Sequence, residues 1–508
     1  MLNFKFKKNM KTINKLKSFL LLSFMIIAMI SCDDFLDVND NPNTPTISNP
    51  SLTLPVAQTS LASMVGVTMN NPGNYFVYNW SVPSNWSAQQ DLLRYNITTN
   101  FSTGIFETSF GYIFRNLNYV NEYEDGSVNY DGYKVIAQTL KTFQYQYLVD
   151  LYGDVPYTEA GLRGENTTPT YDDAETIYKD LIDKLTETAT LALSLNGTIY
   201  EDPGASDIML GGDMTKWAKF ANTIKLRMLL RLSNTGQDAY ITSEIAKINA
   251  NGAGYINNDV NVNPGYLNNN GKQNPFFSAY GTNDAGEFSD RNDYTVASDY
   301  IITYLNNTND ARLLRLYSES VAGDYNGAEQ ITTLPGTGFT SDDLSHIGPG
   351  LLKNSTQDQP IMLLSEAMFL QAEAISRGYI AGGSAAAQAM YEGAIEASFT
   401  YLGVPDAVNE ATAYYGQTLP NVGWASTSNK IEAIITQKWV ALNGTNGIES
   451  WIELTRTGFP SGLPIPAEAQ SGKRPVRLLY PASEIGRNSD NVPAQTASDA
   501  FNSNPFWK

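Results

Sequence analysis

Residues 214–233, MTKWAKFANTIKLRMLLRLS, decide the fold class of this 508-residue chain. Trp217, Phe220, Ile224 and Met228 recur at intervals of three and four, the period of one helix face rather than of a strand. Asp213 stands just ahead as an N-cap, a carboxylate able to accept a backbone N–H of the first turn. Lys225, Arg227 and Arg231 lie beside the apolar stripe, so they need partners wherever that stripe is buried.

The same period extends outward in both directions. Upstream, Asp172-Asp173 open the helix AETIYKDLIDKLTETATLAL, whose first-turn acids suit the helix dipole and whose stripe is Ile177, Leu181, Ile182 and Leu185. Before it, residues 131–151 align Val135, Ile136, Leu140, Phe143, Tyr147 and Leu148, and residues 104–122 and 53–70 show similar spacing. Downstream, residues 361–399 read as two helices broken at Arg377-Gly378 and Gly382-Gly383, and a further helix covers about 428–442. Between them lie long Gly/Asn-rich stretches with aromatics, 71–100, 251–293 and 318–358; long loops in compact domains are usually functional or disordered. The helices come in pairs of similar length without a clean 34-residue period. The expectation is a mainly α single domain over residues 51–508, with large loops grouped on one side and little β structure.

The N-terminus carries a different signal. Residues 1–31 hold six lysines and no acid, and an apolar run from Phe19 to Ile30 leads into Ser31-Cys32. A basic head, a short apolar core and a small residue before the cut describe a secretory signal; a membrane span needs about 20 apolar residues. Met10 is an alternative start. Cys32, the only cysteine, resembles the lipidated residue of a bacterial lipobox, with Met29 where Leu is commonest. Asp33-Asp34 resemble the surface-export tag of Bacteroidetes lipoproteins. Residues 32–50, with three prolines and no periodicity, read as a flexible tether.

Composition narrows the partners. The net charge is −19, and −25 once the six leader lysines are removed, so nucleic acid and anionic lipid headgroups are repelled. With one cysteine and one histidine, His346, there is no conventional zinc site, Ser-His-Asp triad or Cys-His dyad. No phosphate loop or dinucleotide fingerprint occurs. No cofactor is expected. Asp37, Asn39 and Asn41 alternate like the start of a calcium loop, but Pro42 replaces the required Gly; structural calcium through other Asp-rich loops stays open. Glu366 and Glu373, seven residues apart on one helix face, read either as a glycosidase-like carboxylate pair or as ion-pair partners between helices; their apolar helix favours the second.

A binding constellation stands out in the first long loop: Tyr75, Tyr78, Trp80, Trp86, Gln89, Gln90, Asp91, Arg94 and Tyr95. Flat rings pack on sugar C–H faces, and amide, carboxylate and guanidinium groups pair with hydroxyls. Phe276, Phe277 and Tyr280 form a second group. Trp80 and Trp86 are the expected stacking platforms. The competing reading tucks these rings onto the helical core. In Tyr152-Gly153-Asp154-Val155-Pro156-Tyr157, Gly153 can end a helix and Pro156 prevents its continuation, so the segment reads as a structural corner.

Four segments carry a family resemblance. They are LVDLYGDVPYTEA from Leu148, MTKWAKFANTIKLRMLLRLS from Met214, PIMLLSEAMFLQAEAISRG from Pro360 followed by AMYEGAIEASF, and KIEAIITQKWVAL from Lys430 ending in ESWIELTRTGFP. In this order, after CDDFLDVNDNPN and before RPVRLLYPASE, Asn488, Asn491 and a final Asn-Pro-Phe-Trp, the chain resembles the SusD/RagB family of nutrient-binding outer-membrane lipoproteins, in its SusD-like branch. The resemblance implies four tetratricopeptide-like helix pairs wrapped by ligand-binding loops. It also implies a SusC-like TonB-dependent transporter as partner, with an oligosaccharide as the leading ligand and no catalytic residues. A carboxylate-only surface glycoside hydrolase, and a peptide-binding or adaptor lid, are the competing readings.

Overall fold

Helix caps set the frame. Asp173 accepts from Thr176 N and Asp213 from Lys216 N, so the helices that follow start where those carboxylates satisfy first-turn amides. The computed structural model describes residues 48–162, 165–331 and 338–508. Cys32, Asp33-Asp34 and the Asp37/Asn39/Asn41 run lie outside the described residues. Residues from Pro50 to Lys508 form one compact unit.

The main helices are α1 (Pro50–Ser63), α2 (Arg115–Asn121, the end of a helical run that starts at Gly104), α3 (Asp131–Tyr152), α4 (Ala174–Ser194), α5 (Met214–Arg231), α6 (Asp238–Asn251), α7 (Leu364–Ser376), α8 (Gly383–Leu402), α9 (Ala407–Tyr415), α10 (Lys430–Ala441) and α11 (Gly447–Thr457). The architecture is mainly α. α1 packs on α2, α3 on α4, α7 on α8 and α10 on α11, as in tetratricopeptide-like pairs; α5 packs against α3, α4, α6 and α7. Among the described residues four short strands complete the fold: β1 (Trp80–Ser81), β2 (Val260–Val262), β3 (Val296–Ala297) and β4 (Gln359–Met362), paired antiparallel as β1 with β3 and β2 with β4.

Two boundaries depart from the sequence expectation. The first helical run continues through π-helical turns (Met64–Met69) and Asn70–Phe76, so the first long loop starts only after Phe76. The extension is locked by glycines: a Cβ on Gly73 would sit 2.1 Å from the Gly447 carbonyl carbon, and one on Gly447 would sit 2.4 Å from Asn74 N. No larger residue permits this crossing with α11. The other departure is at 361–363: the helix expected there begins at Leu364, because β4 is held extended against β2. Helices α6, α9 and α11 were not expected.

The helical core holds a lattice of charge. Arg227 pairs with Glu366 at 3.1 Å, and Arg231 meets Asp150 at 3.3 Å, Glu449 at 2.5 Å and also Glu453. Lys438 pairs with Glu449 at 2.9 Å and Glu453 at 3.6 Å. Arg456 grips Glu373 through both nitrogens at 2.8 Å and contacts Glu453, while Arg377 reaches Glu373 at 2.7 Å. These five cations and five carboxylates balance, and they tie α3, α5, α7, α10 and α11 together. Lys225 finds its own partner, Glu244 on α6, at 2.7 Å.

Candidate functional site

The loop face is organised by the β1–β3 pair. Trp80 stands opposite Ala297 and Ser81 opposite Val296, so the first long loop lies beside the chain around residues 289–298. The third long loop crosses both. Gln330 Nε2 donates to the carbonyls of Tyr75 (2.8 Å) and Trp80 (2.7 Å), Ser81 Oγ to Glu329 O (2.9 Å), and Ser84 N to Phe339 O (2.8 Å). His346 places Nδ1 2.8 Å from the Asn292 carbonyl and Nε2 3.0 Å from that of Ser341, bridging the second and third loops. The only histidine in the chain is thus a brace. Tyr78, Gln89 and Tyr95 all hold positive φ, at 58°, 51° and 49°. Three non-glycine residues in the left-handed region within one loop mark a backbone fixed by its surroundings.

The expected binding residues divide into two sets. Tyr75, Trp80, Tyr95 and Tyr280 are wholly buried, and Tyr78 and Phe276 are only 4 % exposed. Trp80 is packed by Tyr75 (centroids 6.2 Å apart, 84° between planes) and Tyr280 (5.2 Å); Tyr95 rests on Phe76 at 5.6 Å. These rings fill the space between the first helical run and the loops. They offer no open face for a sugar, which corrects the expectation that Trp80 is a platform. The scaffold and the contact surface are different residues.

The second set faces outward. Trp86 is half-buried, with Nε1 donating to Asp293 Oδ2 at 2.6 Å and its ring 5.6 Å from that of Tyr294. Gln89 and Gln90 are half-buried, as is Phe277; Asp91 and Arg94 are exposed. Asp91 accepts from Asn96 Nδ2 at 2.7 Å, and Arg94 pairs with Glu468 at 3.2 Å. On the same loops the structure adds residues that periodicity did not single out: Arg291, Phe288 (73 % exposed), Phe339 (57 % exposed) and Tyr294, which meets Trp86. Their signal was available, since a phenylalanine inside an aperiodic Gly/Asp stretch has no helix face to join. A cavity of about 330 Å³ opens here between Val82, Ser84, Asp299, Glu329, Ile331 and Phe339. A wider hollow of about 770 Å³ is lined by Thr68, Gln273, Ser278, Asp290, Arg291 and Tyr294.

Electrostatics separate the two carboxylate groups that could do chemistry. Burial pushes the Glu366 carboxyl up against the opposing pull of Arg227, and Glu366 Oε2 has no partner among the described residues. Burial also raises Glu373, but the Arg456 guanidinium outweighs it and holds that carboxyl below its ordinary range. Both sit buried inside the core lattice. In the loop cavity, burial raises Asp299 and the neighbouring Glu329 adds to the shift. Among the described residues no group of three or more His, Cys, Asp and Glu side chains is placed to hold a metal. The Tyr152–Tyr157 segment is a corner: Gly153 has φ +82°, Asp154 Oδ1 accepts from Ala174 N at 2.9 Å, and Tyr480 OH donates to Asp154 O at 2.7 Å.

Solved structures share this architecture. A chitin-binding protein is 25 % identical, with a TM-score of 0.71 over 87 % of this chain and 95 % of its own. A SusD homologue from Bacteroides uniformis is 23 % identical, with a TM-score of 0.70 over 90 % and 99 %. A chitin-binding SusD homologue from Flavobacterium johnsoniae is 20 % identical, with a TM-score of 0.68 over 87 % and 93 %. No curated protein matches the chain in sequence. The family model described as starch-binding and associating with the outer membrane matches residues 42–481, and the chain belongs to that SusD-like family.

Proposed function

We propose that the protein is a non-catalytic surface lipoprotein that captures an oligosaccharide and delivers it to a SusC-like TonB-dependent transporter. Residues 1–31 are its signal peptide, Cys32 carries the lipid, residues 32–50 form the tether and residues 51–508 the binding domain. The observation that carries the reading is the loop face: three loops are fastened together, Trp86 lies against Tyr294 with its indole N–H on Asp293, and Phe288 and Phe339 expose their rings on the same loops. Ring faces with a few polar fixtures are the chemistry of sugar recognition. Membership of a family described as starch-binding, and the likeness to chitin-binding proteins, support a glycan over other nutrients.

Titration of the intact protein with starch- and chitin-derived oligosaccharides tests the ligand class; saturable binding with recovery of uncleaved glycan is expected, and binding to none of a broad glycan panel overturns it. Copurification of a barrel with the protein from outer membranes tests the partner. Loss of acyl labelling in Cys32→Ala tests the anchor. One observation favours a second reading: Asp299 and Glu329 share the loop cavity, so hydrolysis by carboxylates alone predicts new reducing ends that vanish in Asp299→Asn.

A further inference from the structure

A separate cavity, of about 390 Å³, lies away from the loop face and shares no residue with it. It is walled by the helical run that starts at Gly104, by the corner after α3 and by the tail near residues 484–488. Its volume falls in the range of small-ligand sites, roughly 300–1,000 Å³. Phe106, Phe110, Phe114 and Tyr145 line it; Phe110 is half-buried and the other three are buried. Phe114 and Tyr145 are stacked at 4.0 Å, Phe110 meets Phe114 edge-on at 5.3 Å, and Phe106 lies 4.7 Å from Phe110.

Two polar observations give the hollow a direction. Asn118 lines it, is 8 % exposed, and its buried Oδ1 has no hydrogen-bond partner among the described residues. Leaving a buried amide oxygen unmatched is costly, so this one is open to a donor. A half-turn of the amide exchanges its oxygen and nitrogen, and either can be offered to the cavity. At the rim stand Arg115 and Arg487, both exposed, with no carboxylate in ion-pairing range among the described residues. Two unpaired guanidinium groups are conspicuous in a chain of net charge −19. Glu484, also in the lining, accepts from the Tyr171 hydroxyl through Oε2 at 2.9 Å.

We propose that this cavity binds the aromatic C-terminal residue of a peptide: the ring packs on Phe110, the amide N–H meets Asn118, and the terminal carboxylate is held by Arg115 and Arg487. A sugar needs an open flat platform. Here the partly open Phe110 ring offers an aromatic side chain an edge or face to pack on, and a guanidinium pair selects a carboxylate. The site is additional to the glycan face and independent of it.

The probe is N-acetyl-L-phenylalanine, titrated calorimetrically into the intact protein. Saturable binding is expected, with N-acetyl-L-phenylalaninamide weaker by about tenfold or more because charge-assisted pairing is lost. N-acetylglycine should not bind. Arg115→Gln with Arg487→Gln, both exposed and therefore safe for folding, should erase the difference between acid and amide. Asn118→Leu should weaken both ligands. Absence of saturation, equal affinity for acid and amide, or binding abolished by Trp86→Ala but kept in the double arginine variant would each overturn the assignment. Glycan titrations of the same variants report on the loop face separately, so failure at one site is not mistaken for failure at the other.

Discussion

The helical core and the loop face use opposite residue types for the same job. In the core, charged side chains are turned inward and matched: Arg231 alone satisfies Asp150, Glu449 and Glu453, and none of these groups sees solvent. On the loop face, aromatic rings are turned inward and the polar groups stay outside. Tyr75, Trp80, Tyr95 and Tyr280 support the loops from beneath, while Trp86 and Phe339 emerge from them. The lesson is that a residue's conspicuous chemistry does not say whether it works or supports. What decides is whether its surroundings leave a surface free. In the lattice every charged group faces a counter-charge, because an unpaired buried charge is too costly to keep. On the loops a ring can be left open, since exposing one aromatic costs little when its neighbours are satisfied.

The sharpest way to break this comparison is to remove the centre of the lattice. Arg231→Met leaves three buried carboxylates without their shared cation, and breaking a buried pair costs about 3–5 kcal/mol. Chemical denaturation should show a loss at the upper end of that range or a failure to fold. A wild-type-like midpoint would mean that the carboxylates simply take up protons. Next comes Trp80→Ala: if the ring is scaffold, its truncation costs about 3–5 kcal/mol, as for other buried large aromatics. Gly73→Ala follows. Its methyl group would collide with α11 backbone, and overpacking of this kind costs about 1–3 kcal/mol.

The lattice also makes a prediction about pH, with two opposite signs. Burial raises Asp150 from its ordinary 3.8 to about 6, with Arg231 opposing the shift. Burial raises Glu453 as well, but Arg456, Lys438 and Arg231 overcome it and hold that carboxyl well below 4.5. A depressed carboxyl contributes stability that is present above its unfolded value and lost as pH falls through its folded value. A raised one does the reverse: between 3.8 and about 6 the folded state binds the extra proton, so stability declines as pH rises across that window. Asp150→Asn removes the second contribution only. It should therefore compare more favourably with wild type at pH 7 than at pH 4, by about 1–3 kcal/mol. The reverse trend would show that the Arg231 pair dominates burial at Asp150.

Much of this fold was legible because periodicity reports burial directly. α3, α4, α5, α7, α8 and α10 follow from apolar stripes and capping acids such as Asp173 and Asp213. The helix after Gly447 was not, because its inward face includes Glu449, Glu453 and Arg456, which read as surface until their partners on α5, α7 and α10 are known. The candidate site was half legible for the mirror-image reason. Composition places aromatics in the long loops, but aromatic content cannot separate Trp80 from Trp86, six residues apart on one loop. Only the pairing of β1 with β3 and the Gln330 clamp decide which ring is covered.

That distinction yields the prediction with the smallest effect on the fold. Trp86 is half-buried and Phe339 is 57 % exposed, so alanine at both removes little packing. Exposed positions away from caps and cavities usually change stability by no more than about 0.5 kcal/mol; the Asp293 hydrogen bond from Trp86 adds only modestly to that. Binding should respond in the other direction, with glycan affinity falling by about tenfold or more, as it does when an aromatic contact in a binding site is truncated. Trp80→Ala and the Trp86→Ala/Phe339→Ala double variant then form a crossed pair. The first should lower the denaturation midpoint, and its folded fraction should still bind; the second should keep the midpoint and lose the ligand. If instead the double variant binds normally while remaining stable, the glycan does not rest on these rings. The contact surface would then have to be sought along the Tyr294, Arg291 and Asp290 hollow, where Arg291→Ala and Tyr294→Ala are the next variants to titrate.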